Sequence, residues 1–379
     1  MVDRDLPTPE AVELLDLTRQ IAADELAPRA AKAEAEGSFP TDVVSLLGRT
    51  GLMGLPYPEE WGGGGQPYEV YLQVLEELAA AWGTVALTVS VHGLSCFPVA
   101  AYGTAQQRHQ WLPGMLAGTT LGAYCLSEPH AGSDAAALRT RAEPTGEGYR
   151  LTGTKAWITH GGVADVYNVL ARTGGDGPRG ISCLLEPGTA DGLSTAAPER
   201  KMGFRASPTT QLSLDAVGVG RDALVGAAGE GFAIAMAALD TGRLGIAAIA
   251  TGIAQAALDE AVRYTSEREA FGRPVIEFQG LAFELADMAA AVAAARALYL
   301  DAARRRDRGR PFGTQAAMAK LVATDTAMSV TTAAVGALGG YGYVADYPVE
   351  RLMREAKVLQ IVEGTNHIQR VVISRALRR

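Results

Sequence analysis

The hydrophobic period of this chain changes twice, and that alternation restricts the folds open to it. Residues 150–159, 166–171, 181–185 and 210–214 are short β-prone runs separated by Gly, Pro and Asp, within a segment from about residue 119 to residue 225. Alanine-rich stretches with apolar residues at helical spacing flank this segment on both sides. Few architectures bracket a small β-domain with helices. The expected fold is mainly α with a central β-domain. It divides into an N-terminal helical domain over residues 1–117, a middle antiparallel β-domain over 118–228 and a C-terminal helical domain over 229–379.

Local signals place the helices. Thr8 can cap the first and Pro9 can open it, and Pro28 should kink or divide it. Residues 42–50 form another short helix. The run Gly62-Gly63-Gly64-Gly65 lacks the Lys-Ser/Thr ending of a phosphate loop and reads as a turn. Residues 78–107 carry no formal charge, but Gly83, Gly93, Pro98 and Gly103 interrupt the run, so it reads as buried helix and turn rather than a membrane span. Long helical runs follow at 232–268, with a bend expected near Thr241-Gly242, and at 277–306 and 314–335. Residues 338–343 read as a loop, and helices at 347–362 and 366–377 finish the chain.

The formal charge of −8 gives no basis for a nucleic-acid surface. The densest basic run, residues 304–310, suits a solvated helix C-terminus. Cys96, Cys125 and Cys183 fall at no metal or redox spacing and read as buried free thiols of a reducing compartment. Charges and a proline in residues 1–7 replace the apolar core of a signal peptide, so the expected location is cytoplasmic.

Gly364 interrupts the apolar period between the last two helices, and Thr365 or Asn366 can cap the second of them. Glu363 therefore stands at a helix break, beside backbone amides without intrahelical partners. If desolvated there, its carboxyl would titrate near working pH and suit proton abstraction.

The segment Val362-Glu-Gly-Thr-Asn-His-Ile-Gln-Arg370 resembles the closing motif of the flavin-dependent acyl-CoA dehydrogenases, whose catalytic glutamate precedes Gly-Thr. Five further motifs follow in that family's order over essentially the whole chain: Tyr124 to Asp134, Lys155 to Thr159, Leu239 to Arg243, Arg268 to Gly272 with Phe278-Gln279, and Leu338-Gly-Gly340. The resemblance looks closest to the short-chain, butyryl-CoA type, and it implies that the C-terminal domain is a four-helix bundle. It implies FAD as cofactor, contacted by Tyr124, Leu126, Ser127, Gly132, Ser133, Trp157, Ile158, Thr159, Gly339, Gly340, Thr365 and His367. Phe271 would be a further FAD contact, and Arg268 and Gln279 would contact the FAD of a neighbouring subunit, and so imply an oligomer, commonly a homotetramer built as a dimer of dimers. Ser133, Asp240, Arg243 and Gly364 would address the substrate.

The reaction so implied removes the α-proton of a saturated acyl-CoA through Glu363 while hydride passes from Cβ to flavin N5, giving the trans-2-enoyl-CoA. An electron-transfer flavoprotein would be the acceptor. Alternatives are a member specialised for a carrier-protein thioester, an enoyl-thioester reductase of biosynthesis, or a non-catalytic protein that keeps the fold. Some branches carry the base just before the arginine of the Asp240 helix, where this chain has Gly242. Other departures are Gly336 for a glutamine, Val362 for an aromatic residue, and His130, His160 and His367, which read as three unrelated histidines at turns.

Overall fold

The computed structural model describes residues 4–378; Met1 to Asp3, part of the charged N-terminal stretch noted above, lie outside them. Thr8 accepts a hydrogen bond from the Ala11 amide and opens α1 (Pro9–Ile21) with Pro9 in its first turn. The proline at 28 has the expected effect by an unexpected route. A π-helical stretch (Ala22–Leu26) widens the backbone before α2 (Ala27–Glu36), so that Pro28 falls in the first turn of a new helix. Then come α3 (Thr41–Arg49), α4 (Tyr68–Ala81), α5 (Gly83–Tyr102) and α6 (Ala105–Leu116).

The middle segment holds β1 (Gly122–Cys125), β2 (Arg141–Pro144), β3 (Gly148–Thr159), β4 (Val166–Arg172), β5 (Ile181–Pro187), β6 (Leu193–Thr195), β7 (Thr209–Gly220) and β8 (Leu224–Val225). Their order is β6-β7-β3-β2-β4-β5-β8, with β1 attached to β4. The pairing is mainly antiparallel. The exceptions are β1, which runs parallel to β4, and a single parallel pair between β2 and β4.

The chain closes with α7 (Gly231–Glu267), a hairpin of β9 (Glu269–Ala270) and β10 (Arg273–Pro274), α8 (Gln279–Asp307), α9 (Gly313–Leu338), α10 (Val349–Leu359) and α11 (Asn366–Ala376). No interruption divides α7 at Thr241-Gly242, and Gly339–Tyr343 winds into a short 3-10 turn rather than an open loop.

Helix α5 is buried along nearly its whole length and joins the helical core to a second core shared with β1, β4 and β5. Among the described residues it is one of three helices, beginning at Gly83, Gly231 and Gly313, long and apolar enough to cross a membrane by length and composition. The fold buries 78% of its most apolar window. Glycine lets α7 lie directly on α4: a Cβ at Gly252 would come within 2.3 Å of the Glu76 carbonyl oxygen. All three cysteines are buried and free.

The basic run departs from its sequence reading. Arg304 pairs with Glu69 at 2.7 Å, Arg306 stacks 3.9 Å from the Tyr68 ring centroid, and Asp307 accepts the amide hydrogens of Tyr68 and Glu69. The end of α8 therefore caps the start of α4 instead of facing water alone.

Candidate active site

After α10 the backbone enters the left-handed region twice in succession, at Glu363 (φ 52°) and Gly364 (φ 89°), before Thr365 caps α11 by accepting the Ile368 amide hydrogen. Such a φ is costly for a glutamate, and strained positions of this kind cluster at functional sites. The turn drives the side chain inward. Both carboxylate oxygens are buried and have no hydrogen-bond partner among the described residues. They rest on α7 at Gly242, where a Cβ would stand 2.0 Å from Oε2. The missing side chain at 242 is thus the space the carboxylate occupies.

Burial pushes the Glu363 carboxyl up to about 7, while the Lys320 ammonium and the Arg243 guanidinium pull it back down. Tyr68 and Tyr71 on α4 and Tyr124 on β1 lie close enough to interact electrostatically with it, and burial raises all three phenols. The Tyr124 hydroxyl and the Arg243 Nε are, like the carboxylate, buried without a partner among the described residues. Buried polar groups gathered in one place call for hydrogen-bond partners, which a polar ligand could supply. Next to them Tyr57, Tyr68, Tyr71, Ser90, Phe97 and Gly242 line a cavity of about 20 Å³, room for about one water.

Asp240 and Arg243, three residues apart on α7, form an ion pair, and burial raises the Asp240 carboxyl more than Arg243 lowers it. A buried carboxylate free of hydrogen bonds, titrating near neutrality and flanked by cations, has the properties of a general base.

The second predicted motif assembles separately. A register shift between Lys155 and Ile158 makes a bulge in β3, with Trp157 at φ 63°. Ala156 and Ile158 stay buried, but the Trp157 ring is 65% exposed. The Ile158 side chain belongs to the β-domain core, so only its backbone can face a ligand on the Trp157 side. The Ala156 amide donates to the Ser127 carbonyl, and buried Lys155 donates to the Leu126 carbonyl at 3.2 Å and to Glu128 at 2.8 Å. Glu128 also accepts the amide hydrogens of Arg139 and Thr140. These bonds lock the Tyr124–Ser133 stretch beside the bulge, leaving Gly132 and Ser133 on an exposed turn. Neither Lys155 nor Glu128 was singled out from the sequence.

The remaining predicted residues lie elsewhere. Arg268 ends α7, 26 residues beyond Gly242, so at 1.5 Å per residue it is about 39 Å from the Glu363 carboxylate along the helix axis. Phe271 on the hairpin is 96% exposed, its ring edge-on to Phe278, and Gln279 is exposed beside it. Gly339 and Gly340 sit at the same end of the bundle, where Tyr341 packs against Tyr264 of α7. Thr365 and exposed His367 flank the base turn. The histidines do not form one feature: His160 is buried and bonded to the Gly122 carbonyl, His130 lies 3.6 Å from Glu128, and His367 faces out.

Residues 8–119, 123–217 and 229–378 match, in turn, the models of the acyl-CoA dehydrogenase N-terminal, middle and C-terminal domains. The chain belongs to the acyl-CoA dehydrogenase family. It is 44% identical to an acyl-CoA dehydrogenase of Bacillus subtilis over 98% of each chain, and 42% identical to a short-chain-specific acyl-CoA dehydrogenase of Clostridium acetobutylicum over 94% of this chain and 95% of that one. The structure of butyryl-CoA dehydrogenase from Megasphaera elsdenii superposes with a TM-score of 0.97 at 41% identity, covering both chains fully. Membership makes the chain a flavin-dependent oxidoreductase with FAD as its cofactor. The strained, outward Trp157 and the locked Ser127 turn fit such a planar, polar-edged group.

Proposed function

We propose that this acyl-CoA dehydrogenase converts saturated short-chain acyl-CoA thioesters to trans-2-enoyl-CoA, with Glu363 as the base that removes the α-proton. The observation that carries the reading is the buried, unbonded Glu363 carboxylate seated on Gly242, titrating near 7. Gly364, Asp240 and Arg243 border the place where the thioester would lie, and Ser133 would reach it from the β-domain. Arg243 supplies local positive charge for an anionic ester that a net charge of −8 would otherwise repel. The short-chain preference is proposed from the likeness to a short-chain-specific acyl-CoA dehydrogenase and to butyryl-CoA dehydrogenase.

Tyr124, Leu126, Ser127, Gly132, Trp157, Ile158, Thr159, Thr365 and His367 would hold FAD in one protomer. When bound, FAD supplies the acceptor for the hydride leaving the β-carbon. Arg268, Phe271, Gln279, Gly339 and Gly340 would serve a second protomer's FAD, because α7 carries their end of the bundle far from Glu363. This reading needs an oligomer, and we assign a homotetramer. An electron-transfer flavoprotein is the proposed acceptor, the cytoplasm the proposed location, fatty acid metabolism the setting, and 1–117, 118–228 and 229–379 the domain limits.

The test is an anaerobic absorbance spectrum of the purified protein before and after adding acyl-CoAs of increasing chain length. Flavin bleaching fastest with a four-carbon ester supports the assignment. A bound flavin that no CoA ester reduces overturns it in favour of a carrier-bound substrate, and a colourless protein overturns the cofactor placement.

A further inference from the structure

We infer that Lys320 is the positioning residue for the base: its ammonium ties the left-handed Glu363-Gly364 turn to α9 and supplies the positive charge that keeps the Glu363 carboxylate ionised where no hydrogen-bond donor among the described residues reaches it. The inference deepens the proposed function and rests on that reading for its role in the reaction.

Lys320 is fully buried, among Ala316, Ala317, Ala319 and Ala323 of α9. Placing an ammonium there is unfavourable unless its donors and its charge are both matched. Its donors are matched by the Gly364 carbonyl at 3.0 Å and the Asn366 Oδ1 at 2.9 Å. Both acceptors are neutral, so neither balances the charge. The groups that do are Glu363 and Asp325, which favour the ammonium, against Arg243 on α7, which disfavours it; burial is the largest influence and lowers the ammonium from its ordinary value. The other ionisable groups facing Glu363 are Tyr68, Tyr71 and Tyr124, whose raised phenols stay neutral at working pH.

The tie is one strand of a larger lattice. Asn366 donates to Thr324 and Asp325, Gln360 donates to Asp325 at 2.6 Å, and Gln369 donates to the Glu363 and Gly364 carbonyls. Residues 360–366 are thereby fastened to one stretch of α9, Gln369 closes the turn from α11, and the φ of 52° at Glu363 is held by bonds on both sides of it. Gln369 and Lys320 share the Gly364 carbonyl. Only Lys320 brings a charge. That difference separates holding the turn from tuning the base.

The test compares Lys320→Met, Lys320→Arg and Gln369→Leu holoenzymes with the natural chain, following flavin reduction by butyryl-CoA across pH 5.5–9. Lys320→Met should keep its FAD, lose about 10- to 100-fold in reduction rate at pH 7 and move the midpoint of the pH profile up by about one unit, because an opposite charge has been removed from beside the carboxylate. Lys320→Arg should restore the midpoint, and Gln369→Leu should slow the reaction without moving it. A second readout is independent of turnover: infrared titration of the protonated carboxyl band, assigned by its loss in Glu363→Gln, should show the same upward shift.

An unmoved midpoint in Lys320→Met, or equal shifts in the Met and Arg variants, overturns the inference. If no acyl-CoA reduces the natural chain's flavin, the proposed reaction fails, and the infrared titration still decides the tie between Lys320 and Glu363. Should Lys320→Met not fold, Lys320→Gln takes its place: it keeps a donor and loses the charge, so the same shift is required of it.

Discussion

Replacing Glu363 by Gln should abolish turnover and, above neutral pH, stabilise the protein. Burial moves the carboxyl from an ordinary 4.5 to about 7. A shift of that size corresponds to about 3 kcal/mol in favour of the protonated form inside the fold. The sign follows from proton binding. Between pH 4.5 and pH 7 the folded state binds a proton that the unfolded state has released, so stability falls as pH rises through this window and the whole penalty persists above it. Glutamine carries no such penalty. The melting temperature of Glu363→Gln relative to the natural chain, at equal FAD saturation, should therefore rise by several degrees from pH 5 to pH 8, at about 2–4 °C per kcal/mol for a unit the size of the C-terminal domain. In the same samples the rate of flavin reduction should fall by at least about 100-fold, since only the base has been lost. A melting difference that stays flat with pH would show that the carboxylate is hydrated rather than buried. Unchanged reduction would remove Glu363 from the role of base.

Three further outcomes follow from the same geometry. Gly242→Ala places a methyl group within 2.0 Å of Glu363 Oε2, so it should displace the carboxylate and cut flavin reduction while FAD content is retained; turnover equal to that of the natural chain would contradict the packing. Trp157→Ala removes a ring that is 65% exposed and strained, so FAD affinity measured by ultrafiltration should weaken at least about 10-fold with the apoprotein melting temperature nearly unchanged. Glu186, buried on β5 with both oxygens unbonded and its carboxyl pushed up to about 8 by burial, should make Glu186→Gln more stable at pH 8.5 than at pH 5 relative to the natural chain, read by urea unfolding of the holoenzyme.

The domain order was legible because each element carries its own local signal. Thr8 and Pro9 open α1, the alternating runs at 150–159 and 210–214 become β3 and β7, and glycine and proline mark the turns. What stayed hidden depends on partners distant in sequence. In the parallel placement of β1 on β4 Tyr124 stands opposite Asn168, and no local pattern in a four-residue strand announces that register. The basic run at 304–310 was read as solvated for the same reason: Glu69 and Tyr68, which engage it, are about 235 residues away in the chain.

At the site, the motif around Glu363 was readable, but the features that make it a base were not. A helix break is visible in Gly364; that the carboxylate then lies on Gly242, free of donors, requires α7 and the 363 turn to be packed together. One signal was present and went unread. Lys320 is the sole cation in the 26-residue helix α9, and a lone lysine in an apolar helix either snorkels to water or has a buried partner. It is fully buried, so the partner had to exist. Distance was the other hidden quantity. The motifs at Glu363 and Arg268 look like parts of one site when read as a list, yet a continuous helix from Gly231 to Glu267 is a rod that holds Gly242 and Arg268 about 39 Å apart, farther than one FAD-sized ligand would bridge within this chain. On the proposed reading, the two ends of such a site would come from different copies of the chain, and the exposed Phe271 is the surface on which that second copy should be sought.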